Sequence, residues 1–285
     1  MPVIGRGMTQ RAIWLGQQLN RHRTRAGVTL SQAGDYLGRN GSSISRSESG
    51  EVPARIGDVV ALMNLYGVDD DQERANLENL AREVWQKGWI DPYRKTLRTD
   101  FIDFAWVEAR SSEIRAYDGL ALTGLLQTSS YAEAIIRAAD ADADEQTIQR
   151  FIEYRLQRQQ VLSRDEPVLF RAVIDEGVLR RPVGSVEIMR EQLAHLRKLT
   201  EHERVELRVL PFRVGAHPGQ AGSFLVFTQS YPYAEVGYAE TPGGSIFVES
   251  EQAERFARAY DRLEKVALDL RKSVALLKTL EKDLE

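Results

Sequence analysis

Residues 30–50 read LSQAGDYLGRNGSSISRSESG, and the placing of glycines and small residues in this run decides the fold of its neighbourhood. Ser31 can cap a short helix over Gln32–Leu37, with Ala33 and Leu37 four residues apart on one face. Gly38 ends that helix and supplies the positive φ of a tight turn. Asn40 caps a third helix running through Glu48, which Gly50 closes. Working outward, Ile13, Leu15, Leu19 and the stem of Arg23 form a helical stripe from Ile13 to Ala26, stopped at Gly27. Downstream, Pro53 precedes a helix over Ile56–Tyr66 that buries Ile56, Val59, Val60 and Met63. Two helices of about seven residues joined by a glycine turn cannot bury their faces alone, so they must pack steeply on the first and fourth. The pattern is a helix-turn-helix. Ala33 is expected where the partner helix comes closest, and Ile44 is the core residue of the third helix.

Such a unit reads DNA with short polar side chains at the start of the third helix and with basic or amide groups on the flanking phosphates. Asn40, Ser42, Ser43 and Arg46 suit the first role, Arg46 equally a phosphate; Gln32, Arg39 and Arg55 suit the second. Gly41 offers no side chain. Charge agrees: residues 1–66 hold eight arginines against four acids, a balance of +4, which leaves −8 on the other 219 residues of a chain whose net charge is −4. A basic head on an acidic body points to nucleic acid for the head and another partner for the body.

The quoted run resembles the Xre/Cro/C1-type family of DNA-binding domains, over about residues 10–68. The resemblance implies a DNA-facing role for Gln32 and Ser43. Ser47 lies where that family carries a bulky apolar residue, so a more loosely packed third helix is expected.

With 285 residues, the chain has about twice the ~150 of one domain. Its 42% hydrophobic and 28% charged residues are ordinary for a globular protein. No apolar run approaches the ~18 residues that span a bilayer, and MPVIGRGMTQ lacks the apolar core of a secretion signal. A cytoplasmic protein with no membrane contact is expected. The absence of cysteine excludes disulfides, thiol nucleophiles and cysteine-held metals.

Three segments follow: a helix-turn-helix domain over 1–70, a helical connector over 71–100, and an α+β domain over 101–285 ending in a long helix. In the connector, Ala75, Leu77, Leu80, Ala81 and Val84 recur at helical spacing from Asp71 to Trp85, before a break at Gly88 and Asp91-Pro92. Beyond it, helical periodicity covers 101–114, 131–139, 145–162 and 189–199. Strands are expected at 168–173, 205–210, 224–228 and 234–238. From Glu251, apolar residues recur at alternating steps of four and three, through Phe256, Tyr260, Leu263, Ala267, Leu270, Val274 and Leu277. That register allows either a seam between two protomers or a helix packed on its own domain.

The segments LTGLLQTSSYA (122–132), DEGVLRRPVGS (175–185), MREQLAHL (189–196), RVLPFRVGAHPGQAGSF (208–224) and VGYAET (236–241) resemble the sensor or partner-binding domain carried behind Xre-type heads in actinobacterial regulators. Thr123 stands where that pattern has proline. The resemblance implies transcriptional regulation together with a small protein encoded by a neighbouring gene.

An enzyme is not expected. His22, His195, His202 and His217 include no i, i+4 pair for a metal, and no GxxxxGK[ST] or GxGxxG phosphate loop occurs. Asp175-Glu176 and Glu249/Glu251 are carboxylate neighbours of the sort that chance supplies in an acidic chain. A self-cleaving repressor needs a lysine desolvated beside its serine, and Lys198 sits on an amphipathic helix facing solvent. No catalytic residue, cofactor or metal is therefore assigned. The reading is a homodimeric, sequence-specific regulator of double-stranded DNA. Its alternatives are an antitoxin-like protein-binding module and a small-molecule receptor with Trp106, Tyr117, Phe224, Phe227, Tyr231, Tyr233 and Tyr238 lining a pocket for an effector.

Overall fold

The computed structural model describes residues 9–85, 93, 97–229, 235–241, 243–249 and 251–284. The chain divides into a unit ending at Ala105 and a second over Trp106–Glu285. A helical N-terminal region is followed by a region with a mixed six-stranded sheet, helices and a final helix.

The first unit is built on α1 (Gln10–Arg25), α2 (Leu30–Tyr36), α3 (Gly41–Glu48), α4 (Ile56–Tyr66) and α5 (Asp71–Trp85). Its core gathers Leu15 and Leu19 of α1, Ala33 of α2, Ile44 of α3, Val59, Leu62 and Met63 of α4, and Leu77, Leu80 and Ala81 of α5, all buried. Leu62 and Tyr66 take the buried positions of α4, whereas Ile56 and Val60 are half-exposed. The α5 helix packs on α1 and α4. Arg11 donates through Nη1 to the Glu83 carbonyl at 3.0 Å, and Trp85 Nε1 donates to the Ala54 carbonyl at 3.0 Å. The expected break at Gly88 and Asp91-Pro92 lies outside the described residues.

His22 is buried against α5, with Nε2 3.2 Å from the Glu73 carboxylate. Burial lowers its pKa, against the pull of Glu73 and with help from Arg25 and Arg21. The unfolded chain therefore binds the proton more readily, and stability falls as pH drops below about 6.5, the ordinary histidine value. Denaturation midpoints at neutral and mildly acid pH should show a loss that shrinks in His22→Gln; an equal loss in both proteins would place the sensitivity elsewhere.

The second unit begins in α6 (Thr99–Arg110) and continues through β1 (Ser111–Asp118), α7 (Ser129–Ala139), α8 (Glu145–Arg158), β2 (Leu169–Asp175), α9 (Glu176–Arg180), α10 (Val186–Leu199), β3 (Val205–Leu210), β4 (Phe224–Gln229), β5 (Val236–Thr241), β6 (Gly244–Glu249), α11 (Glu251–Val266) and α12 (Leu270–Lys282). The sheet order is β3-β2-β1-β4-β5-β6. β1, β2 and β3 run parallel, and β4, β5 and β6 add antiparallel on the other side of β1. On one face α11 closes a core of Tyr117, Val173, Leu210, Phe224 and Val226 with its own Tyr260 and Leu263.

Several expectations are corrected. The helical pattern assigned to 101–114 stops at Arg110, and Ser111–Asp118 is instead the strand at the centre of the sheet. The helix read as 145–162 ends at Arg158 and tightens into a 3-10 turn over Gln159–Leu162. α9 and β6 were not anticipated. The C-terminal helix is two helices: Asp269 caps α12 by accepting from the Lys272 N–H at 2.8 Å, and the heptad register is broken there. Phe256, Tyr260 and Leu263 face their own sheet, and Leu277 is buried on α12, which packs on α10 and β3. Of the two readings of this register, the structure shows the helices packed on their own domain. The break also protects the sheet edge, since the Leu268 N–H donates to the Val209 carbonyl (2.8 Å) and the Val209 N–H to Ser273 Oγ (3.0 Å), giving acceptors and donors to an edge strand.

Thr123 shows why proline would not serve at its position. Its φ of −61° suits proline, yet its N–H donates to Asp118 Oδ2 at 2.8 Å. Burial pushes Asp118 up to about 7 even against that bond. Of the aromatics expected to line a pocket, Trp106, Tyr117, Phe224, Phe227 and Tyr238 are buried core residues, with Phe224 edge-on to Phe256 at 5.4 Å and Phe227 against Tyr238 at 6.5 Å. Tyr231 and Tyr233 lie outside the described residues.

Candidate nucleic-acid interface

The turn between α2 and α3 is set by local chemistry. Ser31 is not the cap of α2: Thr29 is, accepting from the Gln32 N–H while Gln32 Oε1 accepts from the Thr29 N–H at 2.9 Å. This reciprocal pair satisfies two helix-end donors and starts the helix at Leu30. Gln32 is exposed, but its carbonyl oxygen is committed to the cap. Gly38 has a φ of 65°, as the turn requires. Ala33 is fully buried, and Gly34 beside it is held close to the turn, where an added Cβ would stand 2.8 Å from the Arg39 carbonyl oxygen.

Asn40 caps α3, its Oδ1 accepting from the Ser43 N–H and the Ser42 hydroxyl, both at 2.9 Å. Asn40 thus caps the helix, as expected, through its carbonyl oxygen. On α3, Ile44 and Glu48 are buried, Gly41, Ser43 and Ser47 half-buried, and Ser42, Ser45, Arg46 and Ser49 exposed. These four follow the i, i+3, i+4, i+7 spacing of one helical face. Ser45 and Ser49 were missed in the sequence; the spacing from Ser42 and Arg46 was the signal that would have found them. Ser43, in contrast, is turned partly inward.

The inner side of α3 is held by a buried acid. Glu48 accepts from Asn20 Nδ2 (2.6 Å), Arg23 Nε (2.6 Å) and Arg23 Nη2 (2.9 Å), and Arg23 Nη1 donates on to the Val28 carbonyl at 2.9 Å. Hydrogen bonding to Glu48 raises the Arg23 pKa in spite of burial. The looser packing expected from Ser47 is not found. α1 crosses α3 at Gly16 so closely that a Cβ there would meet the Glu48 and Ser47 carbonyl oxygens at 2.4 and 2.5 Å; the small residues on both sides permit the approach.

The arginines divide accordingly. Arg11 is buried, Arg23 serves Glu48, and Arg39 Nη2 pairs with Asp58 at 2.8 Å. Arg6 lies outside the described residues. Arg21, Arg25, Arg46 and Arg55 are exposed, so they carry the basic surface of this unit. Arg55 stands at the N-terminal boundary of α4 without capping it through its side chain.

A family model described as a helix-turn-helix domain matches residues 14–77, and one described as a domain of unknown function (DUF5753) matches residues 101–279. No curated protein and no solved structure matches the chain. Among the described residues no helix is long and apolar enough to cross a membrane.

Proposed function

From its membership of the DUF5753 family, to which the chain belongs over more than half its length, and from its helix-turn-helix domain, we propose that this protein is a sequence-specific transcriptional regulator of the Xre/Cro/C1 type found in actinobacteria. It acts in the cytoplasm as a homodimer, because one small head makes too few contacts for useful specificity. The reading assigns no enzymatic activity, and it is supported at one carboxylate pair: Asp175 caps α9 and Glu176 pairs with Arg180 while accepting from the Phe212 N–H, which are structural uses of those groups. The second unit controls the head by receiving a small partner protein or a ligand.

The observation that carries the reading is the outer face of α3. Ser42, Ser45, Arg46 and Ser49 are short or fork-shaped polar groups on one exposed stripe, backed by a fixed crossing with α1. Arg46 is the side chain of that stripe suited to the guanine edge. Binding of the full-length protein to fragments from upstream of its own gene, over a salt series, tests it. Saturation at one pseudo-palindromic site is expected, with Arg46→Ala weakening it by about 1–3 kcal/mol, or roughly 5- to 150-fold. Binding that stays at non-specific level in all fragments, or an Arg46→Ala variant equal to the parent, would refute the reading.

A further inference from the structure

On the sheet face that α11 packs against, β2 and β3, the end of α11 and the connector to α12 line an open hollow of about 590 Å³. Its cations are Arg171, Arg208, Arg213, Lys265 and Lys272, and its carboxylates are Glu206, Glu264 and Asp269, a surplus of two positive charges. Part of this charge is matched internally. Lys272 Nζ lies 3.0 Å from Asp269, and Arg171 Nη1 lies 3.1 Å from Glu113.

The inward edges of the two strand arginines are ion-paired but not hydrogen-bonded. Arg171 Nε stands 3.6 Å from Glu206 and Arg208 Nε 3.6 Å from Glu264, within Coulomb reach but beyond an N–H···O hydrogen bond. Both Nε–H groups are buried and have no hydrogen-bond partner among the described residues. Native proteins rarely leave buried donors in that condition. Arg213 and Lys265, exposed at the rim, form no ion pair with another described residue.

Strand register fixes the geometry. Arg171 faces Glu206 and Val173 faces Arg208 across the parallel pair, so the two guanidinium groups sit on the same sheet face, two residues apart along neighbouring strands. Planar guanidinium forks match the oxygens of a phosphate group. With Glu113 counted against Arg171 the site keeps one surplus positive charge, the sign that suits a phosphate monoester, which carries about −1.5 to −2 at neutral pH. We propose that this hollow binds a small phosphate-bearing anion, with the phosphate seated between Arg171 and Arg208 and reached from the rim by Arg213 and Lys265. The connector forming one wall is bonded to β3 through Leu268 and Val209, so an occupied hollow bears directly on the junction of the last two helices. This deepens the control half of the proposed function and rests on that reading for its effect on DNA, whereas anion binding itself involves the second unit alone.

Calorimetric titration of the full-length protein, without DNA, against inorganic phosphate at constant ionic strength tests it, with chloride as the control anion. Saturable binding to phosphate alone is expected. The Arg213→Ala/Lys265→Ala double variant should weaken it at least about tenfold. Lys278→Ala, an exposed lysine elsewhere on α12, and Arg46→Ala in the head should leave it unchanged. Absence of saturable heat, a loss equally large in Lys278→Ala, or a loss confined to Arg46→Ala would overturn the proposal. Because DNA takes no part, a failure here and a failure of the operator experiment are separately visible.

Discussion

Glu108→Ala is expected to lower the stability of the second unit by about 3–5 kcal/mol. Glu108 is fully buried near the end of α6 and Arg158 is almost so at the end of α8. They meet in a two-pronged pair, Nε to Oε1 and Nη2 to Oε2, each 2.8 Å, and the guanidinium lies 5.4 Å from the Tyr154 ring centre. Burial opposes the charge of Arg158, yet Glu108 beside it more than offsets this and holds the group ionised. Removal of the carboxylate therefore leaves a buried cation with no counter-charge in the pair, which is costlier than the loss of an ordinary hydrogen bond. The matched double replacement Glu108→Leu/Arg158→Met removes both charges and should recover much of the loss, as uncharged substitutes of buried pairs do. Urea unfolding of the three proteins, followed by far-UV circular dichroism, checks this. A single variant within about 1 kcal/mol of the parent, the scale of an exposed pair, would mean that water reaches the site and that the pair is not a structural anchor.

The head was legible in the sequence where its signals were local. Asn40 and Gly50 bounded α3, and the apolar period gave α4 and α5 their limits, because caps, glycine stops and amphipathic spacing act within one or two turns. Ser31 was mistaken for a cap since Thr29, two residues earlier, offers the same hydroxyl, and only the reciprocal bond from Gln32 separates them. What failed was mostly non-local. β1 was hidden because its partners, β2 and β4, lie far along the chain, and the apolar residues of α6 happen to continue in helical phase to Ile114. Glu48 read as one acid among four, although it organises Asn20 and Arg23 from α1. For the same reason the charge count overstated the basic surface: Arg11 and Arg23 are committed inside the unit and Arg39 is paired with Asp58 at its surface. In the C-terminal stretch Leu270 kept the heptad spacing, which masked the helix cap at Asp269.

Gly16→Ala turns one of these hidden contacts into a test of sign. Gly16 lies in the middle of α1, where helix propensity alone predicts that alanine stabilises by about 0.5–1 kcal/mol. The tertiary contact predicts the reverse. The added methyl would meet the backbone carbonyl oxygens of Glu48 and Ser47 at 2.4 and 2.5 Å, and backbone cannot rotate aside as a side chain would. α1 and α3 must separate, which stretches the Arg23–Glu48 pair and the Asn20 bond that tie them. Overpacking of this kind costs about 1–3 kcal/mol or somewhat more, so net destabilisation is expected in spite of the better helix former. Ser42, Ser45 and Arg46 are carried on α3, so the displacement also reorients the stripe proposed to contact DNA; about 1 Å of misplacement suffices to impair a preorganised site. Operator affinity should therefore fall in Gly16→Ala even at temperatures where the protein remains folded. Thermal melting and DNA binding measured on the same preparation decide the matter: a variant more stable than the parent with unchanged affinity would show that α1 and α3 do not cross as closely as the fold requires.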